Sequence, residues 1–226
     1  MKPGITIIYL FLLPITFLQC TQTKRVMNNK DGNMVTALVI FPTHSEVDVI
    51  ETRDKRVKSE ALSEEAANEI NAQLVKYIPS NINTKYLECD SQLQKEIANS
   101  NIKLIKAVKA ALNPDKVVVP DFLLHVLDSL GENYGLFLYH GGFTRSYGNI
   151  TTEYTRRKII GVASLGFYNT EPNSTYSIMI GILIDKKRKK ISMYKELFWR
   201  NRDPNEEVVI RSQVRDIILT YFQTSN

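Results

Sequence analysis

The residues best suited to chemistry lie in one short segment, His140-Gly141-Gly142. In some lipases a histidine followed by glycines forms an oxyanion hole, which works with a serine on a strained strand-to-helix turn of pattern G-x-S-x-G. Ser164 lies in Gly161-Val-Ala-Ser164-Leu-Gly166, which has one residue too many before the serine. Because the mechanism depends on that geometry, a hydrolase using Ser164 and His140 is kept only as an alternative. Otherwise the two glycines indicate a strand with a bulge or kink.

A second candidate for chemistry is the alternating set His44, Glu46 and Asp48. On a strand all three would face one side, where an imidazole and two carboxylates could hold a divalent metal. Nothing nearby completes the set, and alternating polar residues also form the solvated face of a strand. The chain has two cysteines, which is too few for a zinc site of cysteines. We therefore predict no metal and no cofactor.

Two clusters favour binding over catalysis. Tyrosine and arginine are common anchors of protein interfaces, and both are frequent in a segment that we call the aromatic patch, although its aromatic residues could also pack a core. Its members are Tyr134, Tyr139, Phe143, Arg145 and Tyr147. The second cluster, the basic tip, consists of Lys186, Lys187, Arg188, Lys189 and Lys190. It is either a solvated turn that prevents edge-to-edge aggregation or a contact for anionic headgroups or glycan, with each basic residue contributing about 1 kcal/mol.

The elements that position these residues follow from hydrophobic spacing. The apolar run 35–41 ends at Pro42 and predicts a buried central strand. The segment 134–143 predicts another strand, whereas the charged segment 44–58 predicts a loop or a ragged edge strand. Two β-rich runs, 176–184 and 191–199, flank the basic tip and predict a β-hairpin.

Helical spacing predicts the remaining elements. Ser63 is a candidate cap for a helix that ends before Pro79, and a second helix is predicted over Gln92–Leu112. A short helix before Gly131 and a last helix opening at Asp203-Pro204 complete the set. The predicted fold class is α/β (α+β), with one mixed sheet of about four to five strands, helices packed on it, and a C-terminal hairpin followed by a helix.

The first twenty residues predict export. Lys2 precedes the apolar run Ile5–Leu18, which is the layout of a secretory signal. A membrane-spanning helix needs about 20 apolar residues, so this shorter run, interrupted by Pro14, argues against spanning. Phe17-Leu18-Gln19 lacks the small residues of ordinary cleavage sites. The cysteine that follows, Cys20, resembles the invariant cysteine of the bacterial lipobox, although only that cysteine and its position match.

We therefore predict lipidation at Cys20, the alternative being that Cys20 is a thiol in a discarded or differently processed signal. The predicted organisation is a signal peptide over residues 1–19, a lipid anchor and flexible tether over 20–34, and a single α/β domain over 35–226. If Cys20 carries lipid, Cys89 is alone, and we expect it to be a buried small hydrophobic residue.

The order of elements is similar to that of small envelope lipoprotein domains. The resemblance covers Val35 to Phe222 and rests on the strand LVIFP, the strand YGLFLYHGGF, the hairpin beginning at Asp185 and the helix DPNEEVVIRSQVRDII. Similar domains occur in the curli-secretion lipoprotein, the penicillin-binding-protein activators, the amino-terminal domain of the Tol-system propeller protein and uncharacterised lipoproteins of Bacteroides-like bacteria. The resemblance implies a domain that binds other proteins and carries out no chemistry.

From these observations we expect a non-enzymatic, membrane-anchored lipoprotein of the Gram-negative cell envelope. Its expected partners are the membrane, through Cys20, and another envelope protein or a glycan. The net charge of +5 is a mild excess without a nucleic-acid-binding motif, so no nucleic acid is expected. The alternatives are an exported hydrolase using Ser164 and His140, and a subunit of a multimeric secretion or assembly complex.

Overall fold

A computed structural model of the chain describes residues 35–51, 55–111, 116–146, 151–152, 154–156, 158–159 and 175–222. The described strands are β1 (Ala37–Ile40), β2 (His44–Ile50), β3 (Arg56–Lys58), β4 (Asn83–Tyr86), β5 (Tyr134–Arg145), β6 (Tyr176–Asp185) and β7 (Lys190–Arg200). The described helices are α1 (Glu60–Tyr77), α2 (Ser91–Ala110), α3 (Asp121–Ser129) and α4 (Glu207–Phe222). Within these residues no helix has both the length and the apolar composition needed to cross a membrane.

The strands form one mixed sheet built around β5. On one side β5 pairs antiparallel with β6, and β7 continues the sheet as the other strand of the hairpin. On its other side β5 pairs in parallel first with β1 and then with β2, which run end to end. β4 pairs with β1, and β3 pairs with β2. The seven described strands thus make a sheet five strands wide, which confirms the predicted α/β class with a mixed sheet and a C-terminal hairpin followed by a helix.

A one-residue bulge separates β1 from β2. We call β1, β2 and the residues between them the edge row, because β4 covers only residues 37–40 and β3 only residues 48–50. Ile40 lies opposite Leu136 and His44 lies opposite Tyr139, so three residues of the edge row face two residues of β5. An extra residue of this kind reverses the faces of all side chains beyond it. Pro42 lies in the bulge, where its missing N–H breaks no ladder hydrogen bond. The segment 44–58, predicted as a loop or a ragged edge strand, instead supplies an inner strand, β2, and a short edge strand, β3.

Helices cover both faces of the sheet. One core cluster joins α2 and α3 to the sheet and contains Phe41, Ile97, Leu123 and Phe137. The other joins α1 and α4 to the opposite face and contains Leu38, Ile70, Leu136 and Val214. β5 contributes to both clusters in alternation, because successive side chains of a strand point to opposite faces.

The helix starts differ from the predicted ones by a few residues. The hydroxyl of Ser59 caps α1 by accepting the Leu62 N–H, whereas Ser63 lies buried inside the first turn, accepts the Val47 N–H and donates to the Ser59 carbonyl. Asp203 precedes α4, and its carboxylate accepts the Asn205 N–H. A hydroxyl or carboxylate accepts a hydrogen bond from a nearby main-chain N–H equally well in a turn and at a helix start. The sequence positions of these residues were therefore not sufficient to predict where each helix begins.

The glycines of β5 mark close packing. The pairing of β5 with β2 and β6 continues through Gly141 and Gly142 without a shift, so the predicted bulge or kink at these residues is wrong. A Cβ on Gly142 would lie 2.2 Å from the Tyr176 carbonyl oxygen and 2.9 Å from Pro204 Cβ. A Cβ on Gly141 would meet the ring of Tyr139, whose nearest atom, Oη, is 2.9 Å away. Only the contact at Gly142 involves main chain, which cannot move aside.

We expect Gly142→Ala to reduce the free energy of unfolding by about 2–3 kcal/mol, because a core with no spare room is strained by an added methyl group. Urea denaturation of residues 20–226 with Cys20→Ala provides the measurement. Gly141→Ala is the matched control and should lose about 1 kcal/mol or less, since the end of the Tyr139 side chain can rotate away. Equal losses in the two variants would contradict this account.

Candidate interaction sites

The sheet has two chemically different ends. β1 and β5 are parallel and begin at the same end, which we call the lower end. The turn between β6 and β7 also lies there, because Tyr134 at the start of β5 is opposite Asp185 at the end of β6. We call the other end, where β2 and β5 finish side by side, the upper end. The basic tip thus lies at the lower end, and the second half of the aromatic patch at the upper end.

The pairing register of β5 places the residues of the aromatic patch on two different faces of the sheet. Tyr139, Phe143 and Arg145 share one face of β5, whereas the side chain of Tyr134 lies on the opposite face, against the core formed with α1 and α4. Tyr147 lies outside the described residues. The structure therefore brings three of the five predicted residues together at the upper end and separates Tyr134 from them.

Neighbouring strands add residues that the sequence did not single out. Tyr176 of β6 lies directly opposite Phe143, with ring centroids 4.6 Å apart and ring planes at 87°. Phe198 of β7 follows, 5.4 Å from Tyr176. Edge-to-face and tilted ring pairs at such separations are favourable. We call the group formed with the adjacent arginines the aromatic surface: Tyr139, Phe143, Tyr176, Phe198, Arg56, Arg145 and Arg200.

Arginines lie over these rings. The guanidinium carbons of Arg56 and Arg145 lie 5.3 and 5.6 Å from the centroid of Phe143, and that of Arg200 lies 6.0 Å from the centroid of Phe198. Cation–π attraction at such distances contributes about 0.5–1 kcal/mol when exposed. Phe143 is only 6% exposed, so it supports the arginines, and the half-buried Tyr176 and Phe198 provide the accessible aromatic area.

The residues His44, Glu46 and Asp48 face the same side of β2, as predicted, and each has nearby partners. Glu46 accepts a hydrogen bond from the Tyr139 hydroxyl and lies 3.9 Å from the Lys58 ammonium. Asp48 lies 4.0 Å from the Arg56 guanidinium. Burial, followed by the charge of Glu46, raises the pKa of Tyr139 well above its usual range. The described residues contain no group of three or more such side chains placed to hold a metal ion.

His140 lies on the opposite face and is completely buried. Its Nδ1 lies 3.0 Å from the Ser45 hydroxyl and its Nε2 lies 3.4 Å from the Ser177 hydroxyl. Ser177 donates to the Gln213 side-chain oxygen at 3.0 Å. His140 thus links Ser45 of β2 to Ser177 of β6 and, through Ser177, to Gln213 of α4. Burial lowers the pKa of His140 to about 4, so the ring is neutral near pH 7.

This position bears on the hydrolase alternative. A side chain with no exposed surface cannot contact a substrate, so His140 is placed to join β2, β6 and α4 rather than to act on a bound molecule. Ser164, the nucleophile of that alternative, lies outside the described residues. A sequence pattern of histidine and glycine does not reveal which face of the strand is covered, and this is why the motif suggested chemistry.

The basic tip divides into paired and exposed residues. The Lys186 ammonium lies 2.8 Å from Asp128, and the Arg188 guanidinium lies 3.8 Å from Asp185. Lys187, Lys189 and Lys190 are exposed. The isolated bridge between Val118 and Lys190 places a valine that is 74% exposed beside Lys190. The lower end therefore presents positive charge together with exposed apolar surface.

The structure describes only one of the two cysteines. Cys20 lies outside the described residues, and its lipidation stays a prediction. Cys89 is half-buried and packs against the core formed with α2 and α3, close to the small hydrophobic role that was expected. Burial, together with the charge of Asp90, raises the pKa of the Cys89 thiol, which makes it a poor nucleophile.

No protein-family model matches the sequence, and no curated protein matches it. The matching solved structures include a PelC dodecamer from Paraburkholderia phytofirmans, with 8% identity and a TM-score of 0.41 over 91% of this chain and 99% of that chain. Lipoprotein GNA1162 from Neisseria meningitidis matches with 10% identity and a TM-score of 0.33 over 84% of this chain and 99% of that chain. A DUF4136 family protein from Bacteroides thetaiotaomicron matches with 7% identity and a TM-score of 0.33 over 90% and 97%.

These matches confirm the resemblance to lipoprotein domains and to a protein of Bacteroides that was predicted from the order of elements. With identities of 7–10% and TM-scores below 0.5, the likeness is confined to the fold. It indicates nothing about what this chain binds.

The buried His140 predicts a pH dependence of stability. Its pKa is about 4 when folded and about 6.5 when unfolded, so the unfolded chain binds the extra proton between these values. Stability is therefore fully present above about pH 6.5 and falls as the pH drops towards 4, by up to about 1.4 kcal/mol per pH unit. Unfolding by urea at a series of pH values measures this slope.

The variant His140→Gln should be less pH-dependent than wild type by this amount, because it has no titrating ring. His125→Gln is the matched control, since His125 is exposed, and should retain the wild-type slope. If wild type and His140→Gln lose stability in parallel between pH 6.5 and 4, the ring is not held neutral by burial.

Proposed function

We propose that the chain is a lipoprotein of the Gram-negative cell envelope that acts by binding rather than by catalysis. In this proposal residues 1–19 are a signal peptide, residues 20–34 form the lipid anchor and flexible tether, and residues 35–226 form one binding domain. Lipid on Cys20 holds the protein to a membrane, and the domain contacts another envelope protein or a glycan.

One geometric observation carries the proposal. In this proposal the domain begins at Val35, just before β1, and β1 begins at the same lower end of the sheet as the basic tip. A tether attached at Val35 therefore brings Lys187, Lys189 and Lys190 towards the membrane that holds its other end. Anionic headgroups attract basic residues near the surface by about 1 kcal/mol each. The exposed Val118 adds apolar area at the same place.

The same geometry directs the aromatic surface away from the membrane. Arg56, Phe198 and Arg200 lie at the upper end, separated from the basic tip by most of the length of β7. Exposed tyrosine and arginine are the residue types that most often anchor protein interfaces. The domain thus offers a membrane contact at one end and a partner contact at the other.

Modification of Cys20 is the direct test of the anchor. In membranes of a Gram-negative host, we expect the amino-terminal peptide to have the mass of a diacyl- or triacyl-modified peptide starting at Cys20. Cys20→Ala should abolish the modification and release the protein into the soluble fraction, whereas the matched control Cys89→Ala should remain lipidated. An unmodified wild-type peptide that starts elsewhere, with soluble protein, would refute the anchor.

Vesicle binding tests the orientation. With the mature chain carrying Cys20→Ala, we expect binding to vesicles that contain anionic phosphatidylglycerol and little binding to neutral phosphatidylcholine. Replacing Lys187, Lys189 and Lys190 with glutamine should weaken binding by roughly a hundredfold, at about 1 kcal/mol per charge. The matched control replaces three exposed lysines of α2, Lys95, Lys103 and Lys106. If both triple variants lose affinity equally, net charge rather than the basic tip governs the contact.

A further inference from the structure

A crevice opens at the edge of the sheet beside the bulge. Its floor is the continuous segment 40–45, one wall is α1 with Glu64, Asn68 and Asn71, and the other is formed by Tyr86 and Gln94. Its volume is about 520 Å³, within the usual range of ligand sites. The crevice exists because β3 and β4 pair with different parts of the edge row, β3 with residues 48–50 and β4 with residues 37–40.

The main chain at the floor is oriented to accept another strand. The Val47 N–H donates to Ser63 and its carbonyl accepts the Ser59 N–H, so Val47 bonds away from β5. The Ile50 carbonyl accepts the Ser146 N–H at the end of β5, so Ile50 bonds towards β5. Because main-chain direction alternates along a strand, the N–H and carbonyl of Ser45 point outwards like those of Val47, into the crevice.

Polar side chains surround this exposed main chain. Asn71 accepts the Thr43 hydroxyl proton through Oδ1 at 2.8 Å, which leaves its amide NH₂ group as a donor for another bond. The His44 Nε2 is buried and lies 3.1 Å from Glu46 Oε1, but without the geometry of a hydrogen bond. Asn68 and Gln94 add two exposed amides at the rim.

We propose that this crevice binds an extended peptide segment of a partner protein, which pairs with Ser45 as a short added strand. The floor presents the N–H and carbonyl of Ser45, and sheet edges capture extended peptides through main-chain groups of this kind. The amides of Asn68 and Asn71 can bond the remaining peptide groups. The inference rests on the proposed function, in which the partner of the domain is a protein.

The charge of the residues around the crevice indicates which kind of peptide it would bind. Glu64 lines the crevice and also a second groove between α1 and α4, where Glu65, Glu69 and Glu207 lie. This acidic area contrasts with the net charge of +5 of the whole chain. A peptide that leaves the crevice over the first turns of α1 therefore meets carboxylates, which favour lysine or arginine.

The test uses fluorescein-labelled pools of random eight-residue peptides, each pool with one fixed position, and fluorescence anisotropy with the mature chain carrying Cys20→Ala. We expect pools with fixed lysine or arginine to bind more tightly than pools with fixed aspartate or glutamate. Glu64→Lys should reverse this preference. Asn68→Trp, which fills the crevice from an exposed position, should weaken binding at least tenfold, whereas the matched control Asn99→Trp on α2 should not.

N-methylation of the best peptide, one amide at a time, tests strand pairing itself. The Ser45 carbonyl can accept one peptide N–H, so we expect a tenfold or greater loss at one position of the peptide and small losses at the two positions next to it. Several outcomes would overturn the proposal: no pool that binds, binding insensitive to Asn68→Trp, equal losses at neighbouring positions of the peptide, or binding in the crevice of peptidoglycan glycan fragments in place of peptides. Because no membrane is present, failure here leaves the lipidation of Cys20 as a separate result.

Discussion

One extra residue between β1 and β2 decides how the two faces of the sheet differ. Beyond the bulge at Pro42 the even-numbered residues of the edge row face the aromatic surface, whereas before it the odd-numbered residues do so. If residues 41–50 instead paired with β5 in regular register from Ile40 onwards, Ser45 would leave His140, and Glu46 and Asp48 would lie beneath α1 and α4. Burying carboxylates there without partners would be strongly unfavourable. The bulge thus allows one continuous edge to be apolar on both faces at its start and polar on one face at its end.

The same irregularity explains why the two ends of the molecule differ. In the lower half, where β1 lies beside β5, both faces are covered by described helices, and the basic tip is exposed at the rim. In the upper half α1 and α4 cover one face, and the other face presents rings and arginines. Positive charges at the end of the sheet can contact a target without a fixed shape, such as a layer of lipid headgroups. Aromatic side chains held in place by a sheet are better matched to a protein surface of defined shape.

Elements with strong local signals were predictable from the sequence, and those that depend on register were not. The hairpin around the basic tip and the apolar run of β1 follow from alternation and from uninterrupted hydrophobicity. β2 was obscure because its polar face has the composition of a loop. The aromatic surface required knowing that Phe143 faces Tyr176, which are distant in sequence. The burial of His140 was not predicted for a related reason. The His-Gly-Gly motif shows which residues are adjacent in sequence, but it does not show that helices cover this face of the strand.

On the proposed arrangement, the lipid and the basic tip act as two linked contacts with one membrane. The 14 residues from Thr21 to Met34 span at most about 45–50 Å, so a tethered domain samples a small volume next to the surface. In that volume the effective concentration of headgroups is high, and a contact too weak to hold a free domain is sufficient to orient a tethered one. Three exposed lysines, at about 1 kcal/mol each, are enough for this task. Orientation then keeps the upper end and the crevice away from the membrane, where a partner can reach them, and reduces the rotational freedom that the partner's binding would otherwise remove.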